Sequence, residues 1–121
     1  MSDRLLQVSW KAPVRGREDR ALEIFDSFLG MLGRMQQDGR IESFDVVIMR
    51  PNADINGYTS IRGSAAQIAN LKEDREFLAN TADAALIVED LRQTEGYTGE
   101  GVAMIMSLYR EAMNRIPQLT T

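Results

Sequence analysis

Apolar and polar residues change their spacing several times along this chain, and each change marks an element. Over residues 5–11, LLQVSWK, Leu6, Val8 and Trp10 alternate with Gln7, Ser9 and Lys11. A period of two puts alternate side chains on opposite faces, so a first strand is expected here, ended by Pro13 and Gly16. From residue 18 to about 38 the period lengthens to that of a helix. Ala21, Leu22, Ile24, Phe25, Phe28, Leu29, Leu32 and Met35 fall on one broad side, with Glu23, Asp26 and Arg34 opposite. Acidic residues at its start suit the helix dipole, and Gly39 stands where a C-terminal stop belongs. Gly30 and Gly33 lie on the polar side, where two readings compete: a close approach by another element, and simple tolerance on an exposed face.

Residues 44–50, FDVVIMR, form the expected second strand, stopped by Pro51. The following loop ends in Asn56-Gly57, a pair that favours a turn through positive φ. Residues 58–62 then return as an antiparallel third strand. Ser64-Ala65-Ala66-Gln67 has the form of a capping box, and Ala65, Ile68, Ala69 and Leu71 carry the helix onward. A second start near Asp74 leads to Phe77 and Leu78. Residues 84–91, AALIVEDL, are expected as the fourth strand. After a glycine-containing loop, Val102, Ile105, Met106, Tyr109, Ala112, Met113 and Ile116 mark the stripe of a last helix, and Pro117 and a polar tail follow. The order is β-α-β-β-α-β plus one helix, with no repeat and no linker. It predicts one domain over residues 1–121, an α+β ferredoxin-like sandwich with the helices on one face of an antiparallel sheet.

A sheet covered on one side leaves the other to water or to a partner. Leu6, Val8, Trp10, Phe44, Val46, Ile48, Ile61, Leu86 and Val88 are assigned to the helix side. The open side then carries Gln7, Ser9, Lys11, Asp45, Tyr58, Ser60, Arg62, Ala85 and Glu89, with Val47, Met49 and Ile87 among them. Those last three make the face too apolar to stay bare. A partner sheet laid over it would bury them and leave a cavity dotted with polar groups, the usual composition of a ligand site.

Composition narrows the chemistry. The chain has 121 residues, 44% of them apolar and 26% charged, the balance of a folded domain. No apolar run approaches the ~20 residues of a membrane span, and the first residues show no h-region, so a cytoplasmic setting without membrane contact is expected. With no cysteine, disulfides and thiolate chemistry are excluded. With no histidine, the chain lacks the usual base near neutral pH and the commonest transition-metal ligand, and no metal or cofactor is expected. A net charge of −4 works against a nucleic-acid backbone. Gly57-Tyr58 resembles part of an RNA-recognition signature, yet Thr59, Ser60 and Gly63 stand where that pattern wants a small residue and two aromatics, so no nucleic acid is expected.

The element order, the step NGYTSIRGS from strand to helix, and the run LKEDREFLANTADAALIVEDL together resemble the dimeric α/β-barrel superfamily over roughly residues 5–115. The resemblance implies two ferredoxin-like protomers packed sheet against sheet, with any site inside each half. Its members include cofactor-independent quinone-forming monooxygenases and haem-degrading enzymes, and no catalytic residue of theirs carries over to this histidine-free chain. The expectation is a homodimer binding a small anionic organic molecule, with Tyr58, Ser60, Arg62, Gln7, Asp45 and Glu89 as binding residues. Tyr58, Ser60 and Arg62 share one strand face, and a guanidinium flanked by hydroxyls suits a carboxylate. The competing reading pairs Arg62 with Glu89 or Asp45 across the interface, with no ligand. The alternative function is a cofactor-independent oxygenation of a quinol, with proton transfer by Glu89, Asp45 or Tyr58.

Overall fold

The fold is that of a computed structural model, which describes residues 2–117 and 119. The polar tail expected after Pro117 lies outside the described residues, apart from Leu119. Four strands and four helices follow in the order β1 (Arg4–Trp10), α1 (Glu18–Gln37), β2 (Ser43–Ile48), β3 (Gly57–Gly63), α2 (Ala65–Glu73), α3 (Arg75–Ala85), β4 (Arg92–Tyr97) and α4 (Glu100–Arg115). The strands form one antiparallel sheet ordered β2-β3-β1-β4. This is the expected α+β arrangement.

The register explains the two faces. Leu6 lies opposite Ile61, which lies opposite Phe44, and Val8 lies opposite Thr59 and Val46 in the next row. These rows face the helices. Leu6, Val8 and Ile61 are buried with Phe28, Met31, Leu32 and Met35 of α1, Ile68 and Leu71 of α2, and Phe77 of α3. Burying each such side chain contributes about 1.5–3 kcal/mol, so this one cluster supplies much of the driving force. A second, smaller cluster joins Ala21 and Ile24, at the start of α1, to Ile87.

Local signals place the helices well. Ser64 Oγ accepts from Gln67 N at 3.1 Å while Gln67 Oε1 accepts from Ser64 N at 2.8 Å, the reciprocal pair expected of a capping box. Asp74 caps α3 by accepting from Phe77 N. Gly39 ends the turn after α1 at φ +76, a conformation few other residues adopt without strain. Added side chains at Gly30 and Gly33 would meet nothing beyond the helix's own Arg34, so those glycines serve no close approach within the chain.

Three expectations are corrected. The fourth strand does not occupy residues 84–91: Ala84 and Ala85 end α3, and β4 is the polar run Arg92–Tyr97. An edge strand pairs on one side only, and charges there keep other chains from adding to it, so β4 shows no apolar alternation. Residues 87–89 instead run beside residues 11–14, with Val14 N donating to Ile87 O at 2.7 Å and Glu89 N to Ala12 O at 2.9 Å. Asp90, at φ +54, then turns the chain into β4. Leu86 consequently points to water at 77% exposure, while Ile87 is 4% exposed on the helix side, the reverse of the expectation.

The second correction concerns Asn56-Gly57, neither of which has positive φ. Asn52 shapes that loop: its amide donates to Arg50 O and Ile55 O, each at 2.8 Å, and its carbonyl accepts from Asp54 N and Ile55 N. Gly57 is required for a different reason. A Cβ there would stand 2.7 Å from Val47 O and 2.9 Å from Trp10 Cζ2. The third is the open face itself. Of Val47, Met49 and Ile87, only Val47 lies on it, facing Tyr58 in the ladder.

Two measurements follow. Gly57→Ala is expected to lower unfolding free energy by roughly 1–3 kcal/mol through overpacking, read from urea midpoints, and an unchanged midpoint would contradict the contact. The Asp90 carboxyl is held below the ordinary carboxylate range, first by the hydrogen bond from Arg92, then by the charges of Arg92 and Lys11. A folded pKa depressed in this way stabilises above the unfolded value of about 3.9 and is lost as pH falls through the folded value. The stability advantage over Asp90→Asn is therefore expected to be flat from neutral pH down to about 4.5 and to shrink below about 4. An advantage that grew on acidification would show the assignment to be wrong.

Candidate functional site

A cleft of about 660 Å³ opens on the helix side of the sheet, between the two apolar clusters. Its floor is Val8 and Trp10 at the end of β1, with Ile48 at the end of β2. One wall is the first half of α1, through Leu22, Phe25 and Phe28. The opposite wall is the end of α3 and the segment that follows it, through Ala84, Ile87 and Val88. The loop after β2 closes one end with Met49, Pro51 and Asn52.

Each wall has a local cause. Trp10 reaches over Gly57, which has no side chain to displace it, and tilts against Phe25 with ring centroids 5.5 Å apart. Such aromatic pairs are worth about 0.5–1.5 kcal/mol beyond their buried area. The loop is tied down by Asn56 N donating to Trp10 O and Met49 N donating to Asn56 O, both at 2.9 Å. Segment 87–89 is held by its backbone pairing with residues 11–14. The helix-facing side chain of Ile48 remains 65% exposed because nothing in α1 reaches it across the cleft.

Polar groups punctuate the apolar surface. Thr81 Oγ1 donates to Phe77 O at 2.9 Å and accepts from Gln93 Nε2 at 3.0 Å. Asn80 Nδ2 donates to Ile24 O at 3.4 Å. The side-chain amide of Asn56 has no hydrogen bond among the described residues, which leaves a donor and an acceptor on the wall. Glu18, whose Oε1 accepts from Gly16 N, is the one charged residue of the lining, and no basic side chain is part of it. The lining therefore offers apolar and aromatic surface, a few hydrogen-bonding groups and no positive charge. No group of three or more Asp and Glu residues is arranged to hold a metal among the described residues.

The binding residues expected from sequence lie elsewhere. Gln7, Ser60 and Asp45 form one row across β1, β3 and β2 on the open face, with Tyr58 and Arg62 in the rows on either side. The structure thus brings five of the six together. Glu89 is not with them: it sits in the connection before β4 and its backbone pairs with Lys11 and Ala12. Arg62 Nη1 donates to Thr98 Oγ1 at 2.9 Å, and it makes no ion pair with Asp45 or Glu89 among the described residues. None of the six lines the cleft. Sequence reasoning missed Leu22, Phe25, Ile48 and Asn56 because an apolar helix stripe and strand face read as core. Their one signal is a surplus: more large apolar groups converge on Trp10 than its end of the sheet buries.

No protein-family model and no curated protein matches the sequence. Among solved structures, the chain is similar to SnoaB, a cofactor-independent oxygenase from Streptomyces nogalater, at 12% identity and a TM-score of 0.44, covering 81% of this chain and 90% of that one. It is also similar to a dimeric protein of unknown function and ferredoxin-like fold from Bacteroides fragilis NCTC 9343, at 12% identity and a TM-score of 0.59, covering 78% of this chain and 96% of that one. The second likeness, with the strand order found here, shows that the chain has the ferredoxin-like fold.

Proposed function

We propose that this protein binds a small, uncharged and largely apolar organic molecule in the cleft beside Trp10, and that it does so as a homodimer. The observation that carries the reading is the cleft itself. Its volume of about 660 Å³ falls in the range of small-molecule sites, and its surface is aromatic and aliphatic with a few polar groups. A planar ring fits against Trp10 and Phe25, and Asn56 offers an amide to one hydroxyl or carbonyl at the rim. The anionic ligand expected from sequence has no cation to meet in this cleft. The residues weighed for proton transfer, Glu89, Asp45 and Tyr58, lie outside its lining, so the geometry favours binding over catalysis.

One observation favours a second reading, an anion held on the open face. The Arg62 guanidinium has only the neutral Thr98 hydroxyl as a partner among the described residues, with Ser60 and Tyr58 on the same strand face. The dimer is supported by apolar surface that the chain leaves half-buried or exposed: Leu5, Val47 and Tyr58, half-buried on the open face, and the exposed apolar residues of α4. The ferredoxin-like protein from Bacteroides fragilis is itself described as dimeric.

Trp10 is the only tryptophan, so its emission reports directly on the cleft. Titration with 2-naphthol is expected to quench it saturably. Leu22→Lys, at an exposed wall position, is expected to weaken that binding about tenfold, or about 1.4 kcal/mol, while Arg62→Ala leaves it unchanged. Saturable binding of 2-naphthoate that Arg62→Ala abolishes would favour the open-face anion site. If neither probe saturates, both readings fail. Light scattering at micromolar concentration is expected to give the mass of two chains, and a monodisperse monomer would sink the dimer.

A further inference from the structure

α4 is a sixteen-residue helix that its own chain scarcely covers. Where α1 buries six residues, α4 buries only Gly101. That glycine is clamped against the Asp3 carbonyl, where an added Cβ would collide, and Thr98 N donates to Asp3 O at 3.1 Å. The start of the helix is therefore anchored to the start of β1. Beyond it, Val102, Met106 and Tyr109 are 46%, 43% and 59% exposed, and Ile105 and Ala112 are half-buried. A helix of this length is marginal in water on its own, and such helices owe their stability to the packing of an apolar face.

The stripe has a spacing of its own. Val102, Ile105, Met106, Tyr109, Ala112, Met113 and Ile116 are separated by 3, 1, 3, 3, 1 and 3 residues, which reads the same in both directions about Tyr109. Val102, Ile105, Tyr109, Ala112 and Ile116 hold the a and d positions of a heptad seam. Ser107, Arg110, Glu111 and Asn114 lie off the stripe, where Met104 and Leu108, 42% and 50% exposed, widen its apolar flank on one side.

We propose that this stripe packs antiparallel against the α4 of a second copy, with Tyr109 on the two-fold axis. The proposal rests on the homodimer stated above and adds which surfaces meet. In that register Val102 faces Ile116 of the second copy, Ile105 faces Met113, and Met106 faces Ala112. Met106 thus meets the small Ala112, Val102 and Ile105 meet Ile116 and Met113, and Tyr109 meets its own copy on the axis. A parallel pair would set Met106 against Met106 and Ala112 against Ala112, crowding one layer and emptying another, and would align the two helix dipoles. A helix of this length spans about 24 Å, so the seam alone falls short of the ~800 Å² per partner of a standard interface. The open face of the sheet adjoins it, linked to the start of α4 by the Arg62–Thr98 hydrogen bond, and adds Leu5, Val47 and Tyr58.

The chain has no cysteine, so single introduced thiols report without background. Tyr109→Cys is expected to form an intermolecular disulfide in most of the protein under mild oxidation, because bridged Cα atoms must lie within about 7 Å. Ser107→Cys, on the polar side, is expected to stay reduced. Val102→Cys alone is expected not to cross-link, whereas a mixture of Val102→Cys and Ile116→Cys chains is expected to do so. Efficient self-linking of Val102→Cys would overturn the antiparallel arrangement. A dimer by light scattering in which Tyr109→Cys stays reduced would overturn the α4 seam while leaving the homodimer standing. A monomer at all concentrations would overturn both.

Discussion

Trp10, Gly57 and Ile48 meet in one row across three strands, and the cleft end of the molecule depends on that meeting. With no Cβ at residue 57, the indole and the isoleucine converge over bare backbone, since a Cβ there would strike Val47 O and Trp10 Cζ2 and press on Ile48 Cδ1. The same row fixes how β1, β2 and β3 end together. A shift of one residue would turn that strand's own core residues out to the open face, Leu6 and Val8 in β1, Phe44 and Val46 in β2 or Ile61 in β3, so the core and the cleft share one register. Packing thus sets a floor of aromatic and aliphatic surface at a point where α1 no longer follows the sheet closely.

The two sides of the sheet answer different demands. On the helix side, apolar side chains are buried where the helices reach and exposed in the cleft where they do not. On the open side, the rows through Ser60 and Tyr58 mix hydroxyls, an amide, a carboxylate and a guanidinium with a few apolar groups. That mixture suits a surface that is wet in one setting and covered in another. The bare stripe of α4 is different in kind, being apolar on one side along its whole length.

Much of this was legible in the sequence, and the failures share a cause. The alternation of Leu6, Val8 and Trp10 and the periodicity from Ala21 to Met35 report burial, and the elements they predict are present. Ser64 with Gln67 and Asp74 with Phe77 are local chemistry and were equally plain. β4 was not, because an edge strand of Arg, Gln, Thr and Glu carries no burial signal, while Ile87 and Val88 carry one for a reason other than strand pairing. The displaced strand moved Glu89 off the open face and Ile87 onto the helix side. The cleft was hidden for a related reason: Leu22, Phe25 and Ile48 look like core residues, and only three dimensions show that they surround a space.

The left-handed backbone of Asp90 separates two stretches of pairing, residues 87–89 beside 11–14 and Arg92–Tyr97 beside β1. The side chains of residues 87–89 therefore belong to a pairing separate from the ladder that runs from Arg4 to Ser9. One wall of the cleft and the edge of the sheet are thus joined through a single left-handed residue rather than through one continuous strand.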